Sequence, residues 1–491
     1  MPRTISILHI SDLHRSVEAG ISNASLLASL ISDQDSYTGS ESIKIKSPDV
    51  IIVSGDIILG STDPVNSATI IEKQYEEARE FLNQMVEHFL NGNKHRLVVV
   101  PGNHDVDWKY STESMSPIER SKVFDSSDKV KSQYLRGALS HTSKIRWNWR
   151  DLSFYEITDL DKYSKRFDAF ARFYHALYEG KRVYSLDPAK QQDIFDLPEL
   201  NIAIVAYNSC YENDHLQFVG DIHPDCIADT KLAIREFRKK GRLILATWHH
   251  NTKGSPYEVN YMDNAHLKSF INSGISVGFH GHQHKTEIIS EFSDVVEQKK
   301  VIVFSAGTLC AGPKELPTGN NRQYNLVEIV WDDGSPELAI TLHTREKTDT
   351  STFNNPIWKA GKIDSNLISY YKVNVDKPEP AEMEISLLEI ERKMKNGFTG
   401  EAIKDLLTLD LENPFVRKFL VQCLIQEGDS RLALEIFSKP TTDQEFILAL
   451  QSAIQNGDKA AMGSLLVEAS SFNSADATLA ILVRKVEAIL Q

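Results

Sequence analysis

The sequence predicts an α/β protein followed by an all-helical C-terminal unit. Three observations lead there. Short apolar, β-branched runs alternate with stretches of helical periodicity up to about residue 345, the pattern of a sheet covered by helices. From Met383 onward only helical periodicity remains. Between the two lies Val375-Asp376-Lys377-Pro378-Glu379-Pro380, whose prolines and charges read as a linker. The expected division is residues 1–376, a linker at 377–382 and a helical unit at 383–491.

The elements follow in chain order. Residues 5–10, 50–53, 97–100, 201–207 and 243–247 are short apolar runs bounded by Gly, Pro, Asn or Asp, and read as buried strands. Residues 21–32 set Leu26, Leu27, Leu30 and Ile31 at helical spacing, and the polar, serine-rich residues 33–47 read as a loop. A long helix follows, with Ile71, Tyr75, Ala78, Phe81, Leu82, Met85 and Phe89 on its buried face and Gly92 at its end. Helices are expected at 225–240 and 264–272, and strands near 301–305, 324–331 and 337–343. The last two, joined at Asp332-Asp333-Gly334, read as a hairpin.

Residues 108–197 interrupt this alternation. They read as a helical cap, with Phe167, Phe170, Ala171, Phe173, Tyr174 and Leu177 striping one segment. Residues 120–182 hold 14 Lys or Arg against 8 Asp or Glu, a cationic excess in an acidic chain. Arg146, Trp147, Trp149 and Arg150 set cations beside aromatic rings, which suits an anionic, base-containing substrate. An amphipathic insert whose aromatics pack inward would show the same stripe, and the individual tryptophans fit that reading better.

Chemistry gathers at the ends of the apolar runs. Asp12-Leu13-His14, Gly55-Asp56, Gly102-Asn103-His104-Asp105, His249-His250 and His280-Gly281-His282-Gln283-His284 each follow one. Ligands of open α/β sheets bind outside the carboxyl ends of strands. One such Asp, Asn or His is ordinary as a turn or core residue; five blocks together point to one polar rim. On an extended segment His282 and His284 would point the same way, and Gly281 would let backbone approach closely.

These blocks resemble the ordered signature of the calcineurin-like metallophosphoesterases, D-x-H, G-D, G-N-H-[DE], H and G-H-x-H. All are present, in order, within the first 345 residues. The resemblance implies two facing mixed β-sheets flanked by helices, and hydrolysis of a phosphoric ester by two divalent metal ions about 3.5–4 Å apart. It implies Asp12, His14 and His284 as ligands of one ion, Asn103, His249 and His282 as ligands of the other, and Asp56 as the bridge. A hydroxide between the ions would attack phosphorus. His104 would stand beside the scissile bond, with Asp105 orienting it or capping the turn. Ligation through the first histidine of the pair leaves His250 to approach substrate, together with Arg146 and Arg150 from the insert. His280 reads as a core histidine and Asn208-Ser209 as a turn that holds the fold. A donor set of imidazole, carboxylate and amide without thiolate suits manganese first, then iron or zinc.

Composition sets the outer bounds. Of 491 residues 41% are hydrophobic and 25% charged, ordinary for a soluble domain pair. A net charge of −14 argues against a broadly basic nucleic-acid binder. Four cysteines, at 210, 226, 310 and 423, form no CxxC pair or disulfide framework. No apolar run reaches 18 residues, so no membrane span and a cytoplasmic location are expected. The expected substrate is a small or cyclic nucleotide diester. DNA or RNA is the alternative, resting on the basic insert. A non-catalytic scaffold that binds metal is the rival from another class, and the intact His104 counts against it. Residues 383–491 resemble tetratricopeptide-like hairpins and would bind a partner protein or a second copy of the chain.

Overall fold

Branched and aromatic side chains fit the two-sided burial of a central strand, and the five expected runs all form strands. The computed structural model describes residues 2–16, 21–63, 65–140, 142–254, 260–294, 299–312, 315–332, 335, 337–363, 368–378, 390–472, 474 and 476–490. The strands are β1 (Arg3–Ile10), β2 (Val50–Ser54), β3 (Leu97–Val100), β4 (Met115–Pro117), β5 (Ile145–Asn148), β6 (Ser153–Ile157), β7 (Gln192–Leu197), β8 (Ile202–Tyr207), β9 (Leu243–Thr247), β10 (Val277–His280), β11 (Glu287–Asp294), β12 (Lys299–Ser305), β13 (Gln323–Trp331), β14 (Glu337–Lys347), β15 (Trp358–Ala360) and β16 (Tyr370–Asp376). The chain clusters into two units, Met1–Pro378 and Glu379–Gln491.

Two mixed sheets build the first unit. One has the order β15-β14-β13-β1-β2-β3, with β16 also on β14; the other runs β11-β12-β10-β9-β8-β7. In the first, β1, β2 and β3 are parallel and β13 returns antiparallel on β1. In the second, β8, β9, β10 and β12 are parallel. Strand periodicity shows directly in β8. Ile202, Ile204 and Ala206 join the core shared with the first sheet, while Ala203, Val205 and Tyr207 face Cys226, Ile234 and Phe270 on the helices Pro224–Lys239 and Ala265–Ser273. The helix Ser67–Leu90 adds Ile71, Ala78, Phe81 and Met85 to the first core.

Several local readings change. Residues 33–47 are not all loop. The helix Asn23–Asp35 runs on into a wide π turn, Ser36–Ser40, in which the Ser36 and Thr38 hydroxyls donate to the Ser32 and Gln34 carbonyls at 3.0 and 2.7 Å and Tyr37 is buried. Hydroxyls that bond backbone carbonyls in this way compete with the regular helix ladder, in keeping with the widened turn. The insert is not simply a helical cap. It carries the three-stranded sheet β4-β6-β5, and its last stretch, β7, pairs with β8. Its helix Asp168–Leu177 belongs to the main core, Phe173 stacking on Tyr75 at 4.8 Å. Asp333 and Gly334 of the expected hairpin turn lie outside the described residues, as do 379–389, which take in part of the expected linker and first C-terminal helix.

Among its described residues the second unit forms helices and no strand, among them Thr399–Leu406, Pro414–Glu427, Ser430–Ile436, Asp443–Asn456, Lys459–Ser471 and Ala477–Leu490. Asn413, Asp429, Thr442 and Asp458 cap helix starts by accepting from backbone N–H groups. Leu406, Leu420, Leu424, Phe446, Ala449 and Val486 form its own core. Among the described residues no helix is long and apolar enough to cross a membrane.

Candidate metal centre

The turns after β1, β2, β3, β9 and β10 meet at one place. Backbone hydrogen bonds lace them together: Asp12 and His14 donate to the Gly55 and Asp56 carbonyls at 3.1 and 3.0 Å, and Gly281 donates to the His249 carbonyl at 3.1 Å. Space there is tight. A Cβ on Gly281 would stand 1.8 Å from Ser11 Oγ, and one on Gly102 would stand 2.1 Å from Asp56 Oδ1, so only glycine allows these approaches.

The backbone is also strained. Asp12, His14, Asp56, His282 and His284 all have positive φ, between 41° and 71°. Each such residue costs on the order of 1–3 kcal/mol and persists only where the surroundings enforce it. This corrects the extended reading of His282-Gln283-His284. Left-handed turns aim the two rings, and they reach different places. His282 Nδ1 lies 3.0 Å from Asn103 Oδ1, whereas His284 Nε2 lies 3.1 Å from Asp12 Oδ1.

Each carboxylate divides its oxygens between backbone and cluster. Asp12 Oδ2 accepts from His282 N–H at 3.1 Å, leaving Oδ1 toward His284 and His14. Asp56 Oδ1 accepts from His104 N–H at 2.9 Å, leaving Oδ2 3.3 Å from His249 Nε2 and 4.0 Å from His14 Nε2. Asp56 therefore faces both halves of the cluster. Among the described residues, three groups place ligand-type atoms within 4.8 Å of one another: Asp12, His14 and His284; His14, Asp56 and His104; and Asp12, Asp56 and His249.

The remote ring nitrogens fix the near ones. His249 Nδ1 lies 2.8 Å from the Ser54 carbonyl, His284 Nδ1 2.7 Å from that of Glu315, and His104 Nδ1 2.7 Å from that of Leu59. A carbonyl only accepts, so each Nδ1 carries the hydrogen and each neutral ring turns an Nε2 lone pair inward. His249 Nε2 then stands 3.0 Å from Asn103 Oδ1 and 3.3 Å from His282 Nδ1, and His14 Nε2 stands 3.4 Å from His284 Nε2. Wherever two of these facing atoms both carry lone pairs, they repel one another unless positive charge lies between them. This is the donor set that divalent cations fit.

The ionisation pattern agrees. Burial would lower His249, but the adjacent Asp56 carboxylate overrides it and raises the ring to about 9. Asp12 likewise outweighs burial at His284 and raises it to about 9. Burial, reinforced by a neighbouring imidazole, lowers His14 to about 4 and His282 to about 3. Against the upward push of burial, Asp56 is held well below the ordinary carboxylate range by His249, and Asp12 is lowered by His284. Without metal the site draws protons to the places where cations would sit.

Of the other expected site residues, His250 and Arg146 differ from their expected parts, and Asp105 takes the capping one of its two. Asp105 does not touch His104. Its carboxylate accepts from Gly102 N–H, Ile57 N–H and Tyr75 OH at 2.8, 3.1 and 3.0 Å, so it braces the turns behind the cluster. His250 is fully buried with Nδ1 3.0 Å from Ser209 Oγ, so it does not approach substrate. Arg146 is buried in a network with Asp214, Glu212 and Tyr163 and is not free for substrate. Arg150 is exposed. His280 is buried, with Nδ1 2.9 Å from the Gly281 carbonyl. Ser209 Oγ accepts from the N–H groups of both His249 and His250 at 3.1 Å, which gives the Asn208-Ser209 turn its task. The carbonyls of Ser54, Leu59 and Glu315 had no sequence signal, because every residue type offers the same carbonyl.

The chain matches the calcineurin-like phosphoesterase family over residues 5–286. No curated protein matches it. Among solved structures it is similar to a dimetal phosphatase from Danio rerio at 9% identity, over 68% of this chain and 95% of that one, with a TM-score of 0.34. It is also similar to GAP50, the anchor in the inner membrane complex of Plasmodium (11% identity, 77% and 90% covered, TM-score 0.33). A third is the calcineurin-like phosphoesterase YfkN from Bacillus subtilis (12% identity, 77% and 91% covered, TM-score 0.27). Scores this low add nothing to the family match. With its five motifs gathered at one rim and its family match covering more than half its length, the chain belongs to the calcineurin-like phosphoesterases, hydrolases that act on phosphoric esters.

Proposed function

We propose that the chain hydrolyses a phosphodiester, a small or cyclic nucleotide, with two divalent cations held at the cluster. The observation that carries this reading is the gathering of the His249, His282, His14 and His284 ring nitrogens with the Asp12 and Asp56 carboxylates. Asp12, His14 and His284 hold one cation, Asn103, His249 and His282 hold the other, and Asp56 stands between. Manganese is the first choice on the oxygen-and-imidazole donor set, with iron or zinc next. When bound, such a pair neutralises phosphate oxygens and lowers the pKa of a water toward roughly 7.

The chain's own residues supply the rest. Asp12 and Asp56 are fixed by backbone N–H groups, so they need not reorganise as charge develops on phosphate. His104 is partly exposed, and its Nδ1 is tied to Leu59, so Nε2 is the atom presented to substrate. Protonated at Nε2, it donates to the leaving oxygen. The helical unit presents its surface to a partner protein or a second copy of the chain.

A substrate panel with manganese tests the reading: bis-p-nitrophenyl phosphate, p-nitrophenyl phosphate, cyclic nucleotides, and single- and double-stranded DNA. Turnover of the small or cyclic diesters ahead of the monoester is expected. Cleavage of DNA alone would put a nuclease in its place, and preference for the monoester would make the chain a phosphatase.

A further inference from the structure

A cavity of about 690 Å³ opens beside the cluster rather than within it. One wall is Ser61-Thr62-Asp63, and Ser61 is only two residues beyond Leu59, whose carbonyl holds His104. At about 3.6 Å per residue that wall starts within roughly 7 Å of the Leu59 backbone. The opposite wall comes from the insert and from Trp108, four residues after His104, so both walls adjoin segments that hold His104.

Its lining is aromatic and cationic: Trp108, Trp147, Trp149, Phe218, Lys109 and Arg150. Trp147 is anchored edge-on against Phe154, ring centres 4.7 Å apart, and Trp149 stands edge-on to Trp147 at 5.7 Å. Trp149 is nevertheless 80% exposed. It lies in the turn just after β5, and burial would lower its free energy, so its open face is available for stacking. The acidic groups of the lining are already engaged. Asp63 accepts from Val65 N–H and Asn66 N–H at 2.8 and 3.0 Å, and Glu113 lies 3.6 Å from Lys162. By contrast the exposed Arg150 guanidinium has no hydrogen bond or ion pair among the described residues. An open aromatic face beside an uncommitted guanidinium matches a planar base joined to a phosphate.

We infer that this cavity is a nucleoside subsite in which Trp149 stacks the base and Arg150 pairs with a phosphate oxygen of the same nucleotide. The inference builds on the proposed diesterase reading, naming the part of the substrate that lies beyond the scissile bond. Arg146, the neighbour in sequence, holds the insert together and takes no part in binding.

Calorimetric titration of the full manganese-loaded chain with adenosine 5′-monophosphate and with ribose 5-phosphate tests the subsite without needing turnover. The expected result is tighter binding of the monophosphate that carries a base, lost by about tenfold or more in Trp149→Ala. Arg150→Ala should weaken it as well, and Trp149→Phe should restore most of it. Equal binding of the two ligands, or a Trp149→Ala variant that binds as the parent does, would overturn the inference. Hydrolysis of methyl p-nitrophenyl phosphate, which has no base, is read in parallel. Trp149→Ala should leave it within about twofold of the parent; an equal loss there would mean that Trp149 serves the cluster and not a base. Should the parent fail to hydrolyse any ester yet bind the nucleotide through Trp149, the diesterase reading falls and the subsite stands.

Discussion

His104 separates chemistry from assembly. Its backbone N–H fixes Asp56 and its Nδ1 is tied to Leu59, yet its Nε2 lies 4.0 Å from Asp56 Oδ2 and its ring is partly exposed. His104→Ala keeps the backbone bond and removes only the ring. Turnover should fall by about 10²–10⁴ while metal content stays as in the parent, read by single-turnover kinetics beside elemental analysis. Loss of one metal equivalent would make His104 a ligand instead. At this scale the cluster was well marked in the sequence, because ligands must be particular side chains. Substrate contacts were not. Arg146 looked like Arg150 until Asp214 and Glu212 were seen to claim it. His250 looked like a site residue until Ser209 was seen to hold it away.

Elements built from unbroken, fully buried apolar runs were legible, and partly exposed ones were not. β3 and β9 appear with the expected bounds because each is a fully buried apolar run between polar ends. β4, β5, β15 and β16 were missed. They are short or carry exposed residues, and pairing partners distant in sequence decide them. In the helical unit, Arg417 on Pro414–Glu427 pairs with Glu445 on Asp443–Asn456 at 2.7 Å, both buried. Burial pushes Glu445 upward, but Arg417 and the Thr441 N–H bring it below the ordinary carboxylate value. A depressed carboxylate stabilises fully above its unfolded pKa of about 4.3, and that contribution is lost as pH falls through the folded value. Arg417→Ala should therefore cost about 3–5 kcal/mol near neutrality. Glu445→Gln should flatten the acid-side loss of stability of this unit, with both read by chemical denaturation across pH. An unchanged acid limb would remove the pair from the account.

The chain divides into two units, Met1–Pro378 with the cluster and Glu379–Gln491, which has its own core. A cation that binds only the folded state stabilises it by about 2.7 kcal/mol at one hundred times its Kd. Chelation should therefore lower the unfolding temperature of the first unit and leave the helical unit's transition in place, as calorimetry would resolve. A downward shift of both transitions would contradict the assignment of metal to one unit. The most direct test joins metal content to turnover in the parent and in Asp56→Asn, which keeps the shape of the side chain and removes the charge shared by both halves of the cluster. The account predicts about two equivalents of metal in the parent with steady hydrolysis of bis-p-nitrophenyl phosphate, and in the variant loss of metal together with at least about a hundredfold of the turnover. Turnover that survives Asp56→Asn, or a parent that hydrolyses the ester with no bound metal, would contradict it.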